Sequence, residues 1–272
     1  MKTYLEKQAN EIRRRTITSI YDAQSGHPGP SFSWADIAST LFFEVMNLDG
    51  PERDRFILSK GHGVPTLYAA LSLRGDLPEE YLRTLREIDS PLQGHPVKGT
   101  LDLVDATTGS LGQGLSVGLG YDLTNKLKGN GANVYVVLGD GECQEGQVWE
   151  AAMSASKFAR EGRSSGLIAT IDANGYQCEK ISEVMPSLEP LGDKWRSFGW
   201  DVQEVDGHNI NALLGAYENA KKQKSKPSMI IARTIKGKGF SLMEQEPLNW
   251  HFRVLTEGEH AQAMKELGGS NV

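Results

Sequence analysis

The sequence predicts an α/β fold with a mainly parallel central sheet and helices on both faces. From residue 109 onward, short apolar segments alternate with amphipathic helical segments, a pattern typical of β-α-β units. Two of the short segments, 134–138 and 229–232, are apolar on both faces, as expected when helices cover both sides of a sheet.

The N-terminal part is predicted to be mainly helical. Residues 2–24 have the spacing of an amphipathic helix, and Ser33 is expected to cap a second helix that runs to about Val45. Residues 56–58 form a short strand candidate, and Pro78 is expected to open a polar helix.

The rest of the chain supplies most of the predicted sheet. The expected elements are a helix up to about residue 128, strand 133–138, helix 146–160, strand 167–171, helix 191–198, strand 200–205, helix 212–222 and strand 229–232. We expect one domain over residues 1–272, in which 236–272 is a loop and C-terminal extension.

Composition excludes several classes of protein. The net charge of −6 argues against a nucleic-acid binder, and no apolar run reaches the roughly 18 residues of a membrane helix. The N-terminus lacks the apolar segment of a secretory signal, and the two cysteines form no C-x-x-C pair. We therefore expect a cytoplasmic protein that binds neither nucleic acid nor membrane.

Two polar turns follow neighbouring strands of the predicted sheet. Gly139–Glu142 comes after strand 133–138, and Asp172–Tyr176 comes after strand 167–171. Ligands of open parallel sheets bind beyond the carboxyl ends of the strands. Asp and Asn offer oxygen ligands for Mg²⁺, and the glycines let backbone amides approach phosphate oxygens. The pair of turns predicts a site for a metal-bound diphosphate.

Gly-Asp-Gly followed some thirty residues later by an Asn-containing turn resembles the thiamine diphosphate motif, and the match extends to the transketolase family. The blocks that carry this resemblance lie in transketolase order over about residues 26–251: Gly26-His27-Pro28-Gly29, Ser59-Lys60-Gly61-His62, Gly94-His95-Pro96, Thr108-Gly109-Ser110-Leu111-Gly112-Gln113-Gly114 and Gly139-Asp140-Gly141-Glu142-Cys143-Gln144-Glu145-Gly146. The fold implied is that of the diphosphate-binding domain.

The resemblance implies a set of metal ligands. Asp140, the side-chain oxygen of Asn174 and the backbone carbonyl of Tyr176 would bind Mg²⁺, for which Ca²⁺ could substitute.

The resemblance also implies contacts to thiamine diphosphate. The residues concerned are His62, Gly109, Leu111, Gly141, Glu142, Asn174 and His251. The two histidines and the backbone at Gly141 and Glu142 would donate hydrogen bonds to the diphosphate. Gly109 and Leu111 would lie beside the aminopyrimidine and thiazolium rings.

By the same resemblance, His27, His95 and His251 would surround the reacting carbon as catalytic residues. Histidine suits proton transfer because its ordinary pKa lies near 6.5. His208 and His260 lie outside the matching blocks and are interpreted as structural.

The implied function is that of a transketolase-type transferase, which moves a two-carbon ketol unit from a ketose to an aldose. In this family, the glutamate that activates the cofactor belongs to a second, pyrimidine-binding domain. We therefore expect this chain to be the N-terminal subunit of a split enzyme. A separate C-terminal subunit would carry the missing domain in an α2β2 heterotetramer that acts on sugars or sugar phosphates.

Other functions stay open at this point. The α subunit of a 2-oxoacid dehydrogenase E1 component and a deoxyxylulose-phosphate synthase relative share the Gly-Asp-Gly…Asn element, but the histidine blocks favour ketol transfer. A non-catalytic cofactor-binding subunit is a third hypothesis.

Overall fold

Parallel strands form the central sheet of the computed structural model, which describes residues 1–164 and 166–268. Within these ranges the strands are β1 (Arg55–Leu58), β2 (Val134–Gly139), β3 (Leu167–Ala173), β4 (Asp201–Asp206) and β5 (Ser228–Arg233). Their order is β1-β2-β3-β5-β4, and the neighbouring strands run parallel. The predicted fold class is confirmed, and the carboxyl ends of the strands meet along one edge of the sheet.

Helices cover both faces of this sheet. They are α1 (Lys2–Ala23), α2 (Pro28–Ser33), α3 (Ala35–Thr40), α4 (Val64–Arg74), α5 (Gly114–Lys128), α6 (Gly146–Arg160), α7 (Ile181–Val184), α8 (Leu191–Ser197), α9 (Ile210–Lys222), α10 (Ser241–Gln245) and α11 (Glu257–Glu266). Across the described ranges, none of them is both long and apolar enough to cross a bilayer.

The two apolar cores follow from the alternation of side chains along each strand. On β2, Tyr135 and Val137 point into a core shared with α1, α3, α4 and α9. Val134 and Val136 point to the other face, into a core shared with α5, α6 and α8. Because successive side chains of a strand face opposite sides, a strand that is apolar throughout must be covered on both faces.

Local signals in the sequence set several helix ends. Helix α4 has Pro65 in its first turn and ends at Gly75, whose φ of 91° suits glycine. Helix α9 begins at Asn209, whose side chain accepts hydrogen bonds from two backbone amides of the first turn. Thr256 and Glu259 form a capping box at the start of α11.

The observed strands lie within two residues of the predicted ones, but one predicted helix start is wrong. Ser33 does not cap a helix: it ends α2, the chain bends at Trp34, and α3 follows. Ser33 is buried and donates a hydrogen bond to the Asp172 carboxylate, a partner 139 positions away that local spacing could not reveal. The polar helix expected after Pro78 is a 3₁₀ helix at Glu79–Thr84.

The segment predicted as a loop and C-terminal extension, 236–272, contains α10 and α11. Phe240, Trp250 and Ala263 of this segment pack with Ile17 of α1 in a third apolar cluster. The last four residues of the predicted extension, 269–272, lie outside the described residues. That residues 1–272 form one domain stays a prediction.

A buried carboxylate joins the strand ends. Asp172, at the end of β3, is fully buried and pairs with the Lys60 ammonium at 2.5 Å. It also accepts hydrogen bonds from Ser33 at 2.5 Å, from Thr234 after β5, and from Asn174 at 3.4 Å. One side chain therefore fixes the segments that follow β1, β3 and β5 relative to α2.

Asp172→Asn is expected to destabilise the protein by about 3–5 kcal/mol, because it leaves the buried Lys60 ammonium without its counter-charge. Urea unfolding followed by circular dichroism measures the change. The matched control is Asp193→Asn, which breaks an exposed pair with Arg196 and should cost less than about 1 kcal/mol. Equal, small losses in the two variants would contradict the role assigned to Asp172.

Candidate active site

A cleft opens at the carboxyl edge of the sheet, with a volume of about 320 Å³. All of the predicted site residues except His95 line it. This volume is near the lower limit for a small-molecule pocket, so the cleft can take part of a cofactor-sized ligand. Further residues that line the cleft are Pro30, Lys60, Gly139, Gln144, Glu145, Gln177, Cys178 and Glu179.

Three imidazoles form a triangle on one wall of the cleft. The ring centroids of His27 and His62 are 5.4 Å apart, and His251 lies 5.6 Å from each of them. The three rings come from the loop before α2, from the turn after β1 and from the segment between α10 and α11. The fold therefore brings together histidines that are up to 224 positions apart.

Burial keeps these imidazoles neutral. Desolvation lowers the pKa of His27 to about 4, and repulsion between His27 and His251 when both are protonated adds to the effect. Desolvation and the Lys236 ammonium likewise lower the pKa of His251 to about 4. For His62, burial and the nearby Lys60 ammonium lower the pKa well below its ordinary value. At neutral pH the rings can therefore donate one hydrogen bond and accept another.

The tautomer of His251 follows from its neighbour. Its Nδ1 lies 3.3 Å from the Lys236 ammonium, which can only donate a hydrogen bond. Nδ1 must then be the acceptor, so the ring proton is on Nε2. In this tautomer, Nε2–H is the donor of the His251 ring.

One ring nitrogen of His27 is buried without a hydrogen-bond partner among the described residues. Within residues 1–164 and 166–268, its buried Nδ1 has no hydrogen-bond partner. A buried polar atom without a partner costs about 1–3 kcal/mol, so a ligand group that supplied a partner would be favoured.

His95 does not line the cleft; it packs against the glycine-rich turn (109–114), near enough for its charge to contribute to the lowered pKa of His27 and His62. A Cβ built on Gly109 would come within 3.0 Å of the His95 ring, and Gly109 has a φ of 135°. Both the close approach and the positive φ require glycine at position 109. Burial, with the charge of Arg86, lowers the pKa of His95.

The predicted metal ligands lie at two neighbouring strand ends. The Asp140 carboxylate accepts hydrogen bonds from the amides of Gly141 at 2.9 Å and Gly175 at 2.6 Å. The second bond ties the end of β2 to the turn that holds Asn174 and Tyr176. Burial raises the pKa of Asp140 to about 7, and a bound cation would oppose this by favouring the carboxylate.

These ligands are not a cluster of ionisable side chains. In the described part of the chain, no group of three or more His, Cys, Asp or Glu side chains is placed to hold a metal ion. The predicted set needs only one carboxylate, one amide oxygen and one backbone carbonyl. Such a set is typical of a hard cation that also takes phosphate oxygens.

The Glu142 side chain links three segments of the site by hydrogen bonds. Its carboxylate accepts hydrogen bonds from the amides of Gly112 at 2.9 Å and Gly139 at 3.1 Å, and from the Ser59 hydroxyl. Burial raises the pKa of Glu142 in spite of these bonds. The carboxylate therefore connects the turn after β1, the glycine-rich turn and the end of β2. The backbone of Glu142 carries the predicted contact to the diphosphate.

Two buried lysines were not predicted from the sequence. Lys60 pairs with Asp172 and donates to the carbonyl of Pro30 at 2.9 Å. Lys236 donates to the carbonyl of Gln177 at 2.7 Å, and burial lowers its pKa to about 8. Lys60 belongs to the Ser-Lys-Gly-His block, and its place two residues before His62 was the sequence signal for a role at the site. For Lys236 the signal was its place shortly after β5, because Asp140 and Asn174 also come just after strands, β2 and β3.

Comparison with known families matches residues 5–271 to the domain described as transketolase, thiamine diphosphate binding domain. The chain is 44% identical to the 6-deoxy-6-sulfo-D-fructose transketolase subunit SqwG of Clostridium sp. (strain MSTE9), over 97% of this chain and 96% of that protein. It is 36% identical to a subunit of the apulose-4-phosphate transketolase of Phocaeicola vulgatus, over 97% of this chain and 93% of that protein.

Solved structures give the same family. Transketolase from Campylobacter jejuni superposes with a TM-score of 0.89 at 31% identity, over 99% of this chain and 44% of that chain. Transketolase from Leishmania mexicana gives 0.87 at 30% identity, over 98% of this chain and 41% of that chain. The chain thus spans less than half the length of these solved transketolases. It belongs to the transketolase family, and residues 5–271 match the thiamine diphosphate-binding domain of that family.

Proposed function

We propose that this chain is the N-terminal subunit of a two-component transketolase that transfers a two-carbon ketol unit from a ketose to an aldose. The observation that carries the proposal is one cleft in which three neutral imidazoles face the Asp140 and Asn174 strand ends. Family membership supports it, as do the two relatives named as subunits, which the chain matches over more than nine tenths of their length.

Thiamine diphosphate and Mg²⁺ are the proposed cofactors. Asp140, the Asn174 side-chain oxygen and the Tyr176 carbonyl would hold the cation, with Ca²⁺ as a substitute. His62, the Nε2–H group of His251 and the amides at Gly141 and Glu142 would donate to the diphosphate.

The organic part of the cofactor would lie along the glycine-rich turn, beside Gly109 and Leu111, both of which line the cleft. When bound, thiamine diphosphate supplies the electron sink that lets a carbon–carbon bond of the ketose break. The protein supplies position and proton transfer.

His27, His95 and His251 would act on the sugar oxygens. A neutral imidazole can accept a proton from a hydroxyl as the carbonyl forms and return it to the acceptor's carbonyl oxygen in the second half-reaction. The low pKa of His27 and His251, about 4 in each case, makes each a weak base that releases the proton readily.

The proposal includes a partner. A separate C-terminal subunit would carry the pyrimidine-binding domain and its glutamate, in an α2β2 heterotetramer in the cytoplasm. Two observations support a partner: both relatives are named as subunits, and the Phe252 side chain directly after His251 is exposed. The names of these relatives specify a sulfonated and a phosphorylated sugar, so we infer a substrate with a terminal anion.

Reconstitution tests the two-component proposal. The purified chain with thiamine diphosphate, Mg²⁺, a ketose and an aldose should give no ketol transfer, because the activating glutamate is absent. Addition of the co-purifying transketolase-type C-terminal subunit should restore turnover. Robust transfer by this chain alone would contradict the proposal.

Asp140→Ala should remove Mg²⁺-dependent binding of thiamine diphosphate. Loss of a direct ligand should lower affinity by at least the roughly 10–100-fold that loss of an outer-shell partner costs. Isothermal titration calorimetry of the reconstituted enzyme measures this. Asp76→Ala, which removes a surface carboxylate paired with Arg74, is the control and should bind like the wild type. Unchanged affinity in Asp140→Ala would refute the assigned ligand.

His27 and His251 should titrate only near pH 4, since burial disfavours their charged forms. Each should therefore be uncharged throughout the range from about pH 8 to about pH 5. Nuclear magnetic resonance titration of the imidazole carbons, assigned with His27→Gln and His251→Gln variants, gives the two values. A midpoint near the ordinary histidine pKa of about 6.5 for either ring would be the opposite result.

A further inference from the structure

A short segment after β5 connects the loops that carry His27 and His251. We name residues 234–240 the strap. Its Gly237 amide donates to the Gly29 carbonyl at 3.1 Å, and the Gly29 amide donates to the Trp250 carbonyl at 2.9 Å. A Cβ on Gly29 would lie 2.6 Å from that Trp250 oxygen, so the three segments are in close backbone contact. A shift of the strap would therefore move both histidine loops.

The strap places one charged side chain beside the cleft. Lys236 is 1% exposed, and its ammonium reaches the Gln177 carbonyl at 2.7 Å and His251 Nδ1 at 3.3 Å. The first contact ties the strap to the turn that follows Tyr176. The second fixes the tautomer in which His251 donates from Nε2. Lys236 thus holds both the His251 ring and the turn beside the proposed metal site in place.

His208 contacts the backbone of the strap. Its Nε2 accepts a hydrogen bond from the Ile235 amide at 2.8 Å, one residue before Lys236. Its Nδ1 lies 2.8 Å from the Asp36 carboxylate. A backbone amide can only donate, so Nε2 must be unprotonated and the ring proton must be on Nδ1. The ring is therefore a bridge that donates on one side and accepts on the other.

Arg13 and Asp36 orient this bridge. Both are nearly buried, and the Arg13 guanidinium is paired with the same Asp36 oxygen that receives the His208 proton. Although burial opposes it, the Arg13 charge holds the pKa of Asp36 below its ordinary value, so the carboxylate stays a hydrogen-bond acceptor. Arg13 also packs against Gly239 of the strap: a Cβ there would lie 3.1 Å from its Cδ.

We propose that His208 is a positioning residue of the active site, held as the Nδ1–H tautomer by Asp36 and Arg13 so that its Nε2 fixes the Ile235 amide and, through the strap, Lys236 and His251. Its effect on the cofactor rests on the proposed function. The His208 ring is bonded on both nitrogens, to Asp36 and to Ile235 of the strap, and it is not among the described residues that line the cleft.

Two variants separate this role from a general loss of packing. His208→Gln retains an oxygen near the position of Nε2 and can still accept from Ile235. His208→Asn retains a donor near Nδ1 for Asp36 but cannot reach Ile235. We expect His208→Asn to weaken Mg–thiamine diphosphate binding by the reconstituted enzyme about 10-fold, the effect of losing one buried hydrogen bond, and His208→Gln to restore most of it.

The control is His260→Asn, which removes a ring that contacts Thr18 on α1 and stacks on Tyr21. It should bind the cofactor like the wild type. Equal binding by His208→Asn and the wild type, or no rescue by His208→Gln at an unchanged melting temperature, would overturn the proposal.

A measurement on the unmodified chain tests the bridge without the cofactor. Long-range ¹H–¹⁵N correlation near neutral pH should show His208 protonated on Nδ1 and unprotonated on Nε2, with a slowly exchanging Ile235 amide. The opposite tautomer, or a doubly protonated ring, would refute the bridge whatever the binding data show. If the wild-type enzyme failed to bind thiamine diphosphate, the proposed function would fail, and this spectrum would still decide the position of His208.

Discussion

The arrangement of the site depends on the buried ion pair between Asp172 and Lys60. Asp172 is near the end of a central strand, and its carboxylate receives Lys60 from the turn after β1, Ser33 from α2, and Thr234 from the start of the strap. An unpaired charge at this depth would be costly, so the segments cannot separate without a large loss of stability. Loops that would otherwise be free to move are thereby held at fixed distances around the cleft.

This ion pair also sets the electrostatics of the cleft. Burial is the main cause of the lowered pKa of His62 and His251; the Lys60 ammonium, although paired with Asp172, adds to the effect at His62, and the Lys236 ammonium adds to it at His251. The imidazoles are therefore neutral, and the positive charge of the site is on two lysines that the fold fixes. A diphosphate in the cleft would thus meet neutral imidazole donors, and its affinity would depend little on histidine protonation near neutral pH.

Much of the fold could be predicted because its signals are local. The apolar runs of β2 and β5 and the glycine-rich run that begins at Gly109 are visible in short stretches of the sequence. The Gly-Asp-Gly turn and Asn174 were predicted to meet because parallel strands end at one edge. The roles of Ser33, Lys236 and His208 could not be predicted, since their partners are Asp172, His251 and Asp36, which lie away from them in the sequence.

The ends of β2 and β3 are proposed to bind a cation and a diphosphate. The histidines are proposed to face the reacting part of the cofactor. The most direct measurement is a crystal structure with thiamine diphosphate and Mn²⁺, in which the anomalous signal locates the metal. We expect one peak bound by Asp140, the Asn174 oxygen and the Tyr176 carbonyl, with the diphosphate beside His62 and His251. A metal bound elsewhere, or cofactor outside this cleft, would contradict the proposal.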